Sequence, residues 1–575
     1  MTTTTRHSLT GMLAHLVESS PDAPAVYDVV AGQTVPTTRA DFAARAESLR
    51  DELSAVGLRR GQCIAVYLPN WSDALVWQFA ASALGAHIIG VNTRYNVGEV
   101  AHILTAARPA VVAVPASFHG LDIFGTLREA SAAADPMPVV AVVPGPAGTH
   151  EAATAADPSN SDPSAFDLGA GAWVAGSGDT AGSLVPATPV TAMPTPAGQI
   201  TADVSELAVA FTTSGSTGTP KLAAHRDSAV ARHAYADATI MGVREGDVVL
   251  GVLPVSGVFG FSTAMAGLAG GAAILMEPVF DAAATLERVE ALGVTHIVGG
   301  DDLFGRLYDT WHSGPRTDLT SLRWLGIADF LGRSHDIARW ALAEGGAQTT
   351  GVFGSSEVFA LALLWSSDDP ESVRWNGGGR PVEQAIEVRV ADPIDDRVLG
   401  VGAEGELQFR GPNVVDAYLG NPDAAARAFT ADGWFRSGDL ARALDNGGFR
   451  YVCRMGDVLR LRGFLVDPAE IEHRLAEHPE VQTAKVVGIN GQGGYTEAIA
   501  FVVPVDPTAD LDATALKAWC RDNLAAFKVP AAVHVIERMP TTVGGNGTKI
   551  RAVELRDWAQ QWAGQEVDYR KGLPQ

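Results

Sequence analysis

Between Asp247 and Glu277 the chain runs 29 residues without a charged side chain. A stretch this long must leave water, either in a bilayer, which asks for ~20 apolar residues, or in a protein core. Its punctuation decides between the two. Pro254 and the glycines at 251, 257, 260, 267, 270 and 271 fall at turn spacing. The segment therefore reads as a strand over 248–253, a loop over 254–260, a helix over 261–269 and a strand over 272–276. No membrane span is expected. A unit this apolar can be covered only by more sheet and more helices, and the flanking sequence supplies them. A helix start at Thr38 is followed by Phe42, Ala46, Leu49 and Leu53 at one-face helical spacing. Buried strands are expected over 63–68, about Ile88 and over 109–114, with a helix over 73–84. This alternation argues for an α/β fold with parallel sheets.

The chain has 575 residues, room for more than one domain. Residues 134–203 break the alternation with Pro, Gly, Ala, Ser, Thr and Asp, and read as a loop-rich insertion whose best strand is 139–143. From 385 to 452 short strands dominate, at 387–390, 405–409 and 448–452. Beyond Asp457 a compact α+β pattern follows, with a helix over 468–476 and strands over 484–487, 498–503 and 533–536. The expected domains are 1–455, holding the insertion, and 456–575. Lys plus Arg number 42 against 66 Asp plus Glu, a net charge of −24. That balance argues against nucleic-acid binding, which relies on cations facing phosphate. Cys63, Cys453 and Cys520 stand far apart, so neither a disulfide framework nor a zinc site is expected. Residues 1–16 show no leader pattern, and a cytoplasmic location is expected.

The segment richest in chemistry is Thr212-Thr213-Ser214-Gly215-Ser216-Thr217-Gly218-Thr219-Pro220-Lys221, directly after an apolar strand over 207–211. Backbone N–H groups freed by glycine, several hydroxyls and a cation are what a phosphate-binding loop needs. It lacks the GK[ST] ending of a Walker loop. Composition alone also admits a flexible linker.

This loop resembles the signature of the adenylate-forming superfamily, which includes acyl-CoA synthetases. Five further segments resemble that family in order. They are Phe353-Gly354-Ser355-Ser356-Glu357; Gly405-Glu406-Leu407 with Gly411-Pro412 and Tyr418; Trp434-Phe435-Arg436-Ser437-Gly438-Asp439; Arg454-Met455-Gly456-Asp457 with Gly463 and Pro468; and Asn546-Gly547-Thr548-Lys549-Ile550. The resemblance spans roughly residues 20–560. It implies a large N-terminal domain of parallel sheets with a small β-barrel subdomain, and a smaller mobile C-terminal domain.

The resemblance also implies roles. Thr213, Ser214, Gly215, Ser216, Thr217, Gly218 and Lys221 would face the β- and γ-phosphates of ATP, with Lys221 less critical than it looks because lysines in such loops often point to solvent. Glu357 would hold Mg²⁺, because a hard cation prefers carboxylate oxygen. Ser356 would touch phosphate. Phe353 and Gly354 would border adenine, with a core aromatic as the plainer reading of Phe353. Asp439 would accept the ribose hydroxyls, and Arg454 would contact ribose or phosphate. Lys549 would bridge the carboxylate and the α-phosphate, then swing out while the strand near Gly463 admits a thiol.

The chain departs from the family pattern in places. Gly257 stands where relatives carry a histidine, Gly456 stands at the hinge, and Gly544-Gly545 lengthens the lysine motif. Asp301, Asp302 and Asp329 stand near the acid pocket, either to receive a polar group or simply as caps.

The expected function is ATP-dependent activation of a small carboxylic acid to an acyl-adenylate, followed by thioester formation with CoA. Alternatives are transfer to a separate carrier protein or an amine, or adenylation of an unusual acid such as nitrite for diazotisation. A degenerate nucleotide-binding module is disfavoured because Glu357, Asp439 and Lys549 are all present.

Overall fold

The computed structural model describes residues 8–132, 137–146, 172–174, 206–213, 220–330, 332–455, 459–461, 464–466, 468–490, 496–509, 511–524, 528–544 and 547–562. Within them the charge-free segment folds as the strand Val248–Gly251, the helix Val258–Ala269 and the strand Ala273–Met276. The helix begins three residues earlier than expected. Gly257 caps it in an extended conformation, so the turn after Pro254 is shorter than the glycine spacing suggests. Every residue of that helix except the last is buried, which explains the missing charges.

Among the described residues this unit lies within a thirteen-stranded sheet. The strands Gln348–Phe353, Trp324–Ala328, His296–Gly300, Val248–Gly251, Ala273–Met276 and Pro24–Val30 run parallel in that order. Beyond Gln348–Phe353 the pairing turns antiparallel, through Leu363–Leu364 and Gly378–Pro381 to Phe449–Arg454, Phe435–Ala443, Glu404–Arg410 and Glu387–Ala391. The short strands of 385–452 thus continue the same hydrogen-bonded series.

Among the described residues a second sheet has eight strands. Leu207–Thr212, His87–Gly90, Cys63–Val66, Val111–Pro115, Val139–Val143 and Ala172–Val174 run parallel. Leu222–Arg226 and Ala417–Tyr418 close one edge antiparallel. Val139–Val143 is buried throughout, so this part of 134–203 belongs to the sheet core. The rest of that segment lies outside the described residues, apart from 137–146 and 172–174.

One apolar cluster joins the two sheets through the buried helices. It holds Phe42, Ala46, Leu49 and Leu53, as their spacing implies, together with Phe211, Phe261 and Phe359. The helix Arg39–Ala55 starts where Thr38 accepts the Asp41 N–H. The last described segments, from 459, have apolar clusters of their own. There the sheet Val481–Asn490, Thr496–Pro504 and Ala532–Val535 packs with helices Pro468–Ala476, Ala513–Arg521 and Ala552–Trp562. The hairpin Thr541–Gly544 with Gly547–Ile550 was not legible, because its residues show no alternating apolar face.

The two sheets meet closely at Gly90. A Cβ there would lie 2.5 Å from the Ser256 backbone. Gly90→Ala must therefore push the strand end away from the turn before helix Val258–Ala269. It should lower stability by about 1–3 kcal/mol, read from thermal or denaturant unfolding.

Candidate active site

The strands Leu207–Thr212 and Leu222–Arg226 pair antiparallel, and the Thr213 N–H donates to the Lys221 carbonyl at 2.8 Å. The hydroxyl-rich connection is therefore anchored at both ends. Ser214, Gly215, Ser216, Thr217 and Gly218 lie outside the described residues. Thr213 is buried. Lys221 holds its ammonium 5.1 Å from the centre of the Tyr418 ring, a cation–π placement.

Tyr418 links that hairpin to a second segment. Its hydroxyl donates to the Glu357 carboxylate at 3.3 Å. Burial, reinforced by the Glu357 charge, pushes the phenol far above its ordinary range, so Tyr418 stays a neutral donor. Glu357 follows the strand Gln348–Phe353 through Gly354, where a Cβ would lie 2.7 Å from the Leu361 nitrogen. The chain can fold back there only on glycine. Ser356 is buried beside it. Phe353 lies parallel to Phe409 at 5.9 Å and near Tyr451 at 5.7 Å, with 8% of its surface open. One ring face is thus occupied by the core.

Asp439 and Arg454 are direct partners across the strands Phe435–Ala443 and Phe449–Arg454. The guanidinium donates to the Asp439 carboxylate at 3.0 Å and to the Ser437 carbonyl at 2.7 Å. Gly438 precedes Asp439 at φ +70°, and its N–H donates to Glu406 at 3.2 Å. The left-handed conformation suits glycine. Burial raises the Asp439 carboxyl to about 6. Arg454 opposes that rise, while the charges of Glu357 and Glu406 add to it. Glu357, Asp439, Glu406 and Arg454 thus share one electrostatic neighbourhood.

Gly456 and Gly463 lie outside the described residues. Lys549 is on the strand Gly547–Ile550, opposite Thr542, and that strand lies against the helix Asp301–Ser313. Gly544 pairs with Gly547 at the hairpin end, and Gly545 is outside the described residues. Asp301 accepts the backbone N–H groups of Phe330 and Arg333, each at 3.0 Å, and Asp329 accepts that of Gly332 at 3.1 Å. Burial, then the neighbouring Asp329 charge, raises Asp301 to about 7. These two carboxylates brace the 329–333 loop, the cap-like alternative. Gly257 caps its helix through the backbone alone.

A divalent cation fits this site in one way. Among the described residues no group of three or more His, Cys, Asp or Glu could enclose a metal ion, and no Lys or Arg forms an ion pair with Glu357. A cation would take one carboxylate from the protein and the remaining oxygens from phosphate and water, the arrangement Mg²⁺ favours.

An enzyme that joins an acid to a nucleotide phosphate is the class this fold and site define. The chain belongs to the AMP-binding enzyme family. That family matches over residues 13–419, and the AMP-binding enzyme C-terminal domain matches over 470–546. It is an acyl-CoA synthetase-like, adenylate-forming ligase. Among its relatives, the 2-hydroxy-7-methoxy-5-methyl-1-naphthoate–CoA ligase of Streptomyces carzinostaticus is 29% identical over 92% of this chain and 90% of its own. The feruloyl-CoA synthase of an Amycolatopsis species is 29% identical over 90% of this chain and 93% of its own. ATP-bound MatB from Rhodopseudomonas palustris shares the fold with a TM-score of 0.76 at 23% identity, over 96% of this chain and 99% of that one. No helix among the described residues is long and apolar enough to cross a membrane.

Sequence reasoning gives no role to Tyr418 or Ser437, although both stand in the motifs quoted above. Only the packing reveals these. A carboxyl raised to about 6 from an ordinary 3.8 costs the fold stability as pH rises between those values, and the full cost stands above pH 6. Asp439→Asn should therefore unfold at a higher temperature than wild type at pH 7.5. That advantage should shrink as pH falls toward 4, read by calorimetry at each pH.

Proposed function

We propose that the protein activates an aromatic carboxylic acid in two half-reactions. First the carboxylate oxygen attacks the α-phosphorus of ATP. The bond to the bridging oxygen breaks, pyrophosphate leaves and an acyl-adenylate forms. Then the thiol of CoA attacks the acyl carbon, AMP leaves and a thioester forms. Aromatic acids are favoured because the naphthoate and feruloyl ligases are among the relatives.

The observation that supports this reading most is the buried Asp439 carboxylate, paired with the more exposed Arg454 and within the electrostatic reach of Glu357. In this reading Asp439 accepts the two ribose hydroxyls, and Arg454 holds that carboxylate in place and reaches ribose or phosphate. The loop from Thr213 to Gly218 cradles the β- and γ-phosphates with its N–H and hydroxyl donors. Lys221 supports that loop from the Tyr418 ring. Ser356 donates to phosphate. Phe353 and Gly354 border adenine. Glu357 would hold Mg²⁺, which when bound neutralises charge on the phosphate oxygens. Lys549 meets the charge that develops between carboxylate and α-phosphate.

Residues 1–455 and 456–575 act as two units in this scheme. The second brings Lys549 in for adenylation, then turns so that the strand near Gly463 faces the thiol. The small molecules involved suit a cytoplasmic protein.

Lys549→Ala tests this assignment. It should cut acid-dependent ATP–pyrophosphate exchange by a factor of roughly 100 or more. It should leave thioester formation from a supplied acyl-adenylate within about threefold of wild type. Unchanged exchange would refute the role of Lys549. Exchange in wild type with no thioester on adding CoA would move the acceptor to a separate carrier protein or an amine.

A further inference from the structure

The chain immediately around Glu357 is held in a conformation its residues do not favour. Phe359 has φ +58° and Leu361 has φ +67°. Bulky side chains avoid this region, at a cost of about 1–3 kcal/mol each, and stay there only where the surroundings dictate it. Here the surroundings are four buried side chains from outside the segment. His225 donates from Nε2 to the Ser356 carbonyl at 2.7 Å, and Asn413 from Nδ2 to the Val358 carbonyl at 2.6 Å. His233 donates from Nε2 to the Ala360 carbonyl at 2.9 Å, joined by the Ser262 hydroxyl at 3.2 Å. The carbonyl of Glu357 itself accepts the Val415 N–H at 2.6 Å. All four side chains are buried.

These grips come from separate parts of the fold. His225 lies on the strand Leu222–Arg226 that leaves the phosphate hairpin. His233 lies on the helix Asp227–Met241, and Ser262 on the helix Val258–Ala269. Asn413 precedes the strand Ala417–Tyr418, whose tyrosine meets the Glu357 carboxylate. The side chains of His225 and Asn413 thus grip the carbonyls just before and just after that of Glu357. His225 also ties this point rigidly to the hairpin expected to hold the phosphates. A short segment fixed on both sides of its carboxylate has a defined orientation before any ligand arrives.

We propose that His225 and Asn413 are positioning residues that set the Glu357 carboxylate for a divalent cation bound with ATP, by clamping the carbonyls of Ser356 and Val358. This rests on the reading of Glu357 as the metal ligand. Neither residue touches substrate. Partners that orient a metal ligand typically change metal affinity by 10–100-fold when removed.

The test is the affinity of the enzyme–ATP complex for Mn²⁺, titrated by electron paramagnetic resonance with no acid present. His225→Ala and Asn413→Ala should each weaken Mn²⁺ binding about tenfold. His225→Gln, which restores an N–H donor, should return to within about threefold of wild type. His87→Ala removes an equally buried histidine at the far end of the strand His87–Gly90. It should lower the melting temperature and leave Mn²⁺ affinity unchanged, which separates positioning from general destabilisation. Asn413→Ser is polar but too short to reach the carbonyl, and it serves if an alanine variant does not fold. Wild-type Mn²⁺ affinity in folded His225→Ala and Asn413→Ser, with Glu357→Gln weakened, would overturn the positioning role alone. Wild-type affinity in Glu357→Gln would instead overturn the metal reading itself. An equal loss in His87→Ala would show that the effect is not specific.

Discussion

The carboxylate of Asp439 is buried opposite a single guanidinium, and the site is arranged around that one compensated charge. Burial alone favours the neutral acid. Glu357 and Glu406 push the same way, and Arg454 pulls against all three effects. The pair is fixed by backbone register, since the two residues face each other on adjacent strands. Glu406 is held by Arg436 at 3.1 Å and Asp439 by Arg454, while among the described residues no Lys or Arg forms an ion pair with Glu357. In the proposed function this carboxylate meets a ligand that brings a cation with it, and Lys549 comes from another part of the chain.

The fold places these charges by packing two sheets against one shared apolar cluster. The thirteen-stranded sheet changes from parallel to antiparallel just after Phe353, and the antiparallel arm brings Asp439 and Arg454 back toward Glu357. The eight-stranded sheet contributes the hairpin at 213–221 and, on its outermost strand, Tyr418. Lys221, Tyr418 and Glu357 then form a chain of contacts from one sheet to the other. The charge-free helix Val258–Ala269 sits in the apolar cluster that unites both sheets. The stretch most hostile to water thus serves as the core behind the site.

Much of this was legible in the residues. Apolar runs broken by glycine and proline gave the strand–helix–strand order around 248–276, because each break falls where the chain must turn. The strand before Thr213 and most of the strand Phe449–Arg454 were readable for the same reason, whereas the strand Phe435–Ala443 that carries Asp439 was not, because polar residues interrupt its apolar pattern. What escaped was everything set by contact between distant segments. The hold of His225 and Asn413 on Ser356 and Val358 joins residues 131 and 55 positions apart. No local pattern marks such a pair. The role of Asp301 was open because an aspartate at a helix start serves equally as brace or as ligand. Its two backbone donors, from Phe330 and Arg333, come from a distant segment and show the brace. Phe353 was read as an adenine platform from its motif, and the stacking on Phe409 shows how much of that ring the core already uses.

The most direct measurement is a crystal structure of the enzyme with AMP. The account predicts both ribose hydroxyls within hydrogen-bonding distance of the Asp439 carboxylate. It also predicts the phosphate between the hairpin at 213–221 and Glu357. AMP bound elsewhere, or bound here with Asp439 turned away from the ribose, would contradict it.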